Sequence, residues 1–175
     1  NKKNIINIDT IFEAYDGVHK ATVLDDELIE MQMKINSKII KNDYGLWVDT
    51  GSPHLIIETS NTDDIDVEKE GKLIRYSDNF RENGVNVNYV QKISDEVFKI
   101  RTYERGVEYE TMACGTGSTA SALCMNYLDK TTKNEIKMKC LGGDLIIKFQ
   151  EKDKEYSKIT HIGPAQEVFK GSFVV

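Results

Sequence analysis

Thr111-Met-Ala-Cys-Gly-Thr-Gly-Ser-Thr-Ala-Ser-Ala-Leu-Cys-Met-Asn-Tyr-Leu128 opens on small residues and closes on an apolar stripe. Ala120, Leu123, Cys124, Tyr127 and Leu128 recur at three- and four-residue steps, which predicts a helix with one face in a core. Ahead of it, Gly115 and Gly117 let the backbone turn with unpaired N–H groups aimed outward. Those donors and the positive end of the helix dipole attract negative charge, so a thiolate and a substrate carboxylate are the candidates to sit there. Cys114 occupies that place. In such surroundings a thiol pKa falls to roughly 3.5–7.5, which would make Cys114 a base or a nucleophile at neutral pH. A buried cysteine beside a glycine pair that only packs a helix closely fits the same stretch.

Working outward from the helix, strand patterns dominate. Upstream, residues 85–90 and 97–104 alternate strongly and read as a hairpin turned at Ser94-Asp95-Glu96, followed by a loop over 105–113. Downstream, residues 135–140 and 144–149 flank Gly142-Gly143, which suits a two-residue turn. Leu46-Trp-Val-Asp49 and Leu55-Ile-Ile-Glu58 stand on either side of the bend Thr50-Gly-Ser-Pro-His54. Near the start, residues 5–10, 20–24 and 28–33 read as a meander turned at Asp16-Gly17 and Asp25-Asp26. Residues 59–84 are polar, with Val67, Leu73 and Ile74 spaced for a short surface helix. A last strand pair, 157–162 and 168–174, brackets Gly163-Pro164. Strands outnumber helices and the helix lies amid antiparallel hairpins, so the expected class is α+β, an antiparallel sheet wrapped around a central helix.

Composition limits the function classes. At 175 residues, with 30% charged and 39% hydrophobic, the chain suits one globular domain or one domain plus part of another. A net charge of −6 without clustered Lys and Arg argues against nucleic acid. No apolar run of about 18 residues and no signal peptide opens the way to a membrane or to export. Three widely spaced cysteines fit reduced thiols in a cytoplasm better than a disulfide framework. The chain begins Asn-Lys-Lys rather than Met, so missing upstream material is expected.

The chemistry-bearing residues gather around Cys114. Glu104 ends a strand ten residues upstream, and a carboxylate within hydrogen-bond reach of a thiol can take its proton or hold it in place. Arg105 beside it can receive a substrate carboxylate as a fork, although a surface ion pair is the commoner use of such a dipeptide. His54 lies on a bend where an imidazole can be a proton partner or simply satisfy nearby backbone. Asn86 and Asn88 alternate with apolar residues and could present amides to a ligand or to solvent. His19 and His161 lack metal-ligand spacing, so no metal is expected. Cys124 on the helix stripe and Cys140 in a hairpin strand read as buried, inert thiols.

Tyr103-Glu-Arg-Gly106, Ala113-Cys-Gly-Thr-Gly117, Gly51-Ser-Pro-His54, Gly84-Val-Asn-Val-Asn-Tyr-Val90, Gly142-Gly-Asp-Leu145, Gly163-Pro-Ala165 and Val168-Phe-Lys-Gly171 together resemble diaminopimelate epimerase. The resemblance implies a PLP-independent, metal-free enzyme, without a cofactor, that interconverts LL- and meso-diaminopimelate in lysine and peptidoglycan biosynthesis. It implies two pseudosymmetric α/β domains, each a β-barrel-like sheet around a central helix, with the site in the cleft between them. Cys114 would be one of two catalytic cysteines and Glu104 its proton partner, while His54 would partner the other cysteine. Asn86, Arg105, Ser52 and the Gly115-Thr116 backbone would bind the amino-acid end of the substrate.

The sequence departs from that pattern in three places. The first-half loop of Cys-Gly-Asn-Gly type is absent, Ser52 stands where the family commonly has asparagine, and the stretch from Glu104 to Cys114 is one residue longer. The chain would then be the latter part of the enzyme. Residues 1–33 would finish the N-terminal domain, 34–165 form the C-terminal catalytic domain, and 166–175 return to the first. Expected partners are diaminopimelate, the missing N-terminal half and, as an option, a second copy in a homodimer. The 175-residue chain alone is expected not to epimerise. A proline racemase-like isomerase of the same fold and a non-catalytic binding module are the competing readings, and a thiol-redox protein is disfavoured because no Cys-x-x-Cys pair exists.

Overall fold

A computed structural model describes residues 8–14, 17–25 and 27–172. The start of the first predicted strand (5–7), Asp16 of one predicted turn and Asp26 of another lie outside the described residues. The meander follows as β1 (Asp9–Ala14), β2 (Gly17–Val23) and β3 (Leu28–Gln32). After it come β4 (Ile40–Lys41), β5 (Leu46–Asp49) and β6 (Pro53–Glu58), then a 3-10 turn (Thr62–Asp64) and α1 (Val67–Arg75). The predicted hairpin is β7 (Asn86–Lys92) and β8 (Val97–Glu104), and β9 (Tyr109–Thr111) leads into α2 (Gly115–Tyr127). The chain continues through β10 (Glu135–Cys140), β11 (Gly143–Lys152) and β12 (Glu155–Pro164).

These twelve strands share one sheet in the order β1-β2-β3-β12-β11-β10-β8-β7-β6-β5-β4, with β9 paired to β8. The sheet is mixed rather than antiparallel throughout, since β6 runs parallel to β7 and β8 parallel to β10. Each parallel pair brackets one helix, because a strand can return in the same direction only through a crossover. Helices α1 and α2 are those crossovers, and they lie on opposite faces. Leu55, Val87, Tyr89 and Tyr103 pack with Val67 on the α1 side. Ile56, Val90, Phe98, Ile100, Met138 and Ile147 pack around Leu123 and Met125 of α2.

Several local expectations need correction. The sheet curls around α2, so every residue from 117 to 126 is buried, where the sequence stripe predicted one buried face. Leu73 of α1 is exposed, and Val67 and Gly71 meet the sheet instead. The β10–β11 turn is Leu141-Gly142, with Cys140 opposite Gly143. The 105–113 loop contains β9, which pairs with the end of β8 from Thr102↔Thr111 to Glu104↔Tyr109. Gly106 and Glu108, both at positive φ, make the tight turn between them. Residues 165–172 form no strand, so the predicted strand over 168–174 is absent from its described part, and residues 173–175 lie outside the described residues. The segment after β12 instead runs beside the start of β3, with Ala165 N–H donating to Glu27 O at 2.7 Å.

Candidate active site

Strand alternation explains how the site is built. On β6, β7 and β8 the side chains facing α2 are apolar along the helix body, namely Ile56, Val90, Ile100 and Phe98. Two residues away on each strand, before Ile56 and Val90 and after Ile100, the same face turns polar opposite the first turn of the helix, with His54, Asn88 and Thr102. All three are buried. The register fixes them side by side, because β6 and β7 pair at His54↔Asn86 and β7 and β8 pair at Asn88↔Thr102. Asn86 and Asn88 thus turn their amides toward the inside of the fold rather than to solvent.

Cys114 is the N-cap of α2, in extended conformation at φ −131° and ψ 112°. Its sulfur accepts a hydrogen bond from Gly117 N–H at 3.4 Å, as a serine or aspartate would in that position. The helix proper begins with Ser118 N–H to Cys114 O at 2.9 Å, so the N–H groups of Gly115 and Thr116 precede any intrahelical acceptor. Thr50 ties this turn to the β5–β6 bend by donating from Oγ1 to Thr116 O at 2.9 Å. Gly117 is required by close approach: a Cβ there would lie 2.5 Å from Asn88 Oδ1 and 3.2 Å from the sulfur.

The electrostatics of Cys114 oppose the expectation of a lowered pKa. Burial raises it, the hydrogen bonds from Thr116 and Gly117 lower it, and the nearby Glu104 charge raises it again; the net shift is upward. In this state the group is a thiol at neutral pH. The helix terminus is therefore insufficient by itself to hold a thiolate.

Glu104 reaches this neighbourhood from the end of β8. No direct bond joins it to Cys114; its Oε2 accepts from Thr111 Oγ1 at 2.8 Å across the β8–β9 pair. Arg105 donates its backbone N–H to Asn86 Oδ1 at 2.9 Å, and its exposed guanidinium donates to Asn83 O at 2.8 Å. Asn86 in turn donates from Nδ2 to Ser52 Oγ at 2.7 Å and to Pro53 O at 2.9 Å. Asn86 is thus the strut that joins the Ser52 bend to the Glu104-Arg105 corner. His54 has both ring nitrogens engaged inside the chain, Nδ1 with Asn88 Nδ2 at 3.1 Å and Nε2 with Thr116 Oγ1 at 3.0 Å. Burial first, and the Arg105 charge second, lower its pKa to about 3, so the ring is neutral.

Thr116 and Gly51 border a cleft of about 310 Å³ whose other wall is Phe12, Ala14, His19, Met31 and Met33 of the β1–β3 meander. The site thus opens toward the meander. Cys124 is fully buried, as read from sequence, and burial alone raises its pKa. Cys140 is only partly buried, with its sulfur 3.5 Å from Ser118 Oγ. Among the described residues no group of three or more His, Cys, Asp and Glu side chains could hold a metal ion, and no helix is long and apolar enough to cross a membrane. Sequence reasoning passed over Thr102 and Thr111, whose hydroxyls complete the site. Thr102 could have been found from its place in the predicted 85–104 hairpin across from Asn88, whereas Thr111 carried no signal, because only pairing with β8 makes β9 a strand.

The chain matches known proteins on both sequence and shape. Residues 46–168 match the family model described as diaminopimelate epimerase. A diaminopimelate epimerase of Flavobacterium psychrophilum is 42% identical over 169 residues, covering 97% of this chain and 66% of that protein. The chain spans just under two thirds of the length of the curated relatives that it matches over nearly its whole extent. In shape it is similar to a hydroxyproline epimerase of Agrobacterium vitis, with a TM-score of 0.59, 14% identity, and coverage of 94% of this chain and 58% of that one. It is also similar to a PhzF-family phenazine biosynthesis protein of Bacillus anthracis, with a TM-score of 0.68, 11% identity, and coverage of 93% and 68%. These likenesses give the mixed sheet around a central helix its place among known folds, and the sequence match over 46–168 decides within it: the chain belongs to the diaminopimelate epimerase family.

Proposed function

We propose that this chain supplies one half of the active site of a cofactor-independent epimerase that interconverts LL- and meso-diaminopimelate, with Cys114 as one of its two acid–base thiols. The observation that carries the reading is the position of Cys114 at the N-cap of the buried central helix, with the Glu104 charge acting on its sulfur. Inverting a stereocentre needs a proton taken from one face of the α-carbon and another delivered to the opposite face. One thiolate and one thiol on opposed sides do this without a cofactor. The protonated state favoured at Cys114 suits the donor of that pair, and in the reverse direction the same sulfur takes the proton after Glu104 has received its own.

The remaining residues have roles in this scheme. The N–H groups of Gly115 and Thr116 hold the substrate α-carboxylate, where they disperse the charge that develops as the α-proton leaves. Arg105 and Ser52 meet the same end of the substrate, and Asn86 keeps both in place. His54 acts from within the fold. The second thiol belongs to the part of the family's length that this chain does not span, and the cleft beside the β1–β3 meander is where that part would close and exclude water. The reducing cytoplasm is the compartment that keeps such thiols free.

The test is a chimera in which this chain replaces the matching segment of the Flavobacterium psychrophilum relative. It should convert LL- into meso-diaminopimelate and incorporate solvent deuterium at the α-carbon. Turnover of proline or 4-hydroxyproline in place of diaminopimelate would favour the racemase-like reading instead.

A further inference from the structure

Five buried or half-buried side chains form an unbroken hydrogen-bonded series that ends on the reacting sulfur. Thr102 Oγ1 donates to Asn88 Oδ1 at 3.0 Å. Asn88 Nδ2 faces His54 Nδ1 at 3.1 Å, and Thr116 Oγ1 lies 3.0 Å from His54 Nε2 and 3.4 Å from Cys114 Sγ. The direction of the series follows from Asn88. Asn88 Nδ2 also lies 3.1 Å from Leu55 O and 3.3 Å from Asn86 O, and two carbonyl oxygens can be met only by the amide N–H₂ end. An amide N–H₂ cannot accept a proton, so the His54 nitrogen facing it is the unprotonated one, with the two amide hydrogens shared among three acceptors, which puts the ring proton on Nε2. Nε2–H donates to Thr116 Oγ1, and the one hydrogen of that hydroxyl is left to donate to Cys114 Sγ.

We propose that Thr116 is a proton-transfer-tuning residue for Cys114, and that His54, Asn88 and Thr102 are positioning residues that fix the direction in which its hydroxyl donates. The inference rests on the reading of Cys114 as an acid–base thiol and adds that His54 serves this sulfur through Thr116. With Gly117 N–H, the threonine gives the sulfur two convergent donors, which stabilise the thiolate against its burial. The other titratable groups around the sulfur are Glu104 at the end of β8, Cys140 at the end of β10 and His161 of β12, which packs on Gly115; Arg105 acts on His54.

The experiment is peptide-resolved alkylation of Cys114 by iodoacetamide across pH in the 175-residue chain, which needs no turnover and so separates this inference from the fate of the chimera. Thr116→Val should slow alkylation about tenfold at pH below the thiol pKa, the equivalent of one pKa unit, and displace the profile upward. Thr116→Ser should restore it. Asn88→Asp offers an acceptor to Nδ1–H and moves the ring proton. Nε2 then accepts the threonine hydrogen, so this variant should reproduce the profile of Thr116→Val although it touches neither Thr116 nor Cys114. Cys140 alkylation and the urea midpoint report general damage, and if Asn88→Asp does not fold, the valine and serine pair decides. A Thr116→Val profile that overlays the parent, or serine behaving as valine does, would overturn the proposal.

Discussion

Asn88 Nδ2 stands 3.1 Å from His54 Nδ1 beneath the first turn of α2, and neither side chain is exposed. An imidazole held this way is neutral in the fold and can gain a proton only at the expense of its partners. The folded pKa is lowered from 6.5 to about 3, so the unfolded chain binds the extra proton first as pH falls. The stability that His54 contributes is complete above pH 6.5 and is lost between there and about pH 3. Burial lowers His161 in the same sense. Urea unfolding free energies should therefore fall through this window by several kcal/mol. His54→Gln, which keeps a side-chain amide but cannot titrate, should flatten the slope.

The helix start has no spare room. A Cβ at Gly117 would lie 2.5 Å from Asn88 Oδ1 and 3.2 Å from Cys114 Sγ. Gly117→Ala adds helix propensity of about 1 kcal/mol, but overpacking costs about 1–3 kcal/mol, so the net loss lies between roughly 0 and 2 kcal/mol, and the 2.5 Å approach to Asn88 Oδ1 places it toward the upper end. Chemical denaturation measures it, and the same variant should disturb the alkylation of Cys114 more than that of Cys140.

The three cysteines should separate cleanly in the native chain. Cys114 is half-buried at the site, whereas Cys124 is sealed in the core. Peptide mapping after iodoacetamide treatment should find Cys114 modified and Cys124 intact until urea unfolds the chain. Because burial and the Glu104 charge outweigh the donors at Cys114, its rate should still be climbing above about pH 9.

With Cys114 as one of two acid–base thiols, as proposed above, the 175-residue chain should not invert diaminopimelate by itself. Incubation in D₂O, followed by mass spectrometry and chiral separation, checks this. Full stereoinversion coupled to deuterium uptake by the isolated chain would contradict it.

The central helix, its leading cysteine and the strands on either side were readable from residues 111–128, 85–104 and 46–58 because each follows a clear period or carries its own turn chemistry. The sheet's parallel pairs were not, since strand direction depends on where a crossover returns and not on any local pattern. Strand β9 escaped notice for a related reason. Tyr109-Glu-Thr111 is three residues long, and only pairing with the end of β8 makes it a strand. At the site, the names Cys114, Glu104, His54, Asn86 and Arg105 came from motifs, while their connections came from register. His54 meets Asn88 and Thr116 because β6 and β7 run in parallel beneath the first turn of α2, a juxtaposition with no signature in the chain. The expectation of a low thiol pKa failed because it counted the helix terminus and the glycines but not the desolvation that accompanies burial.

Cys114 as the group that moves the α-proton is the claim on which the rest depends, and the chimera with the Flavobacterium psychrophilum relative tests it directly when Cys114→Ser is compared with the parent. The measurement is deuterium uptake at the α-carbon of LL-diaminopimelate from D₂O, with the urea midpoint confirming that both chimeras fold. Loss of an acid–base group predicts a fall of about 10²–10⁴-fold in the serine variant at unchanged stability. Equal deuterium uptake by the two proteins would contradict the account.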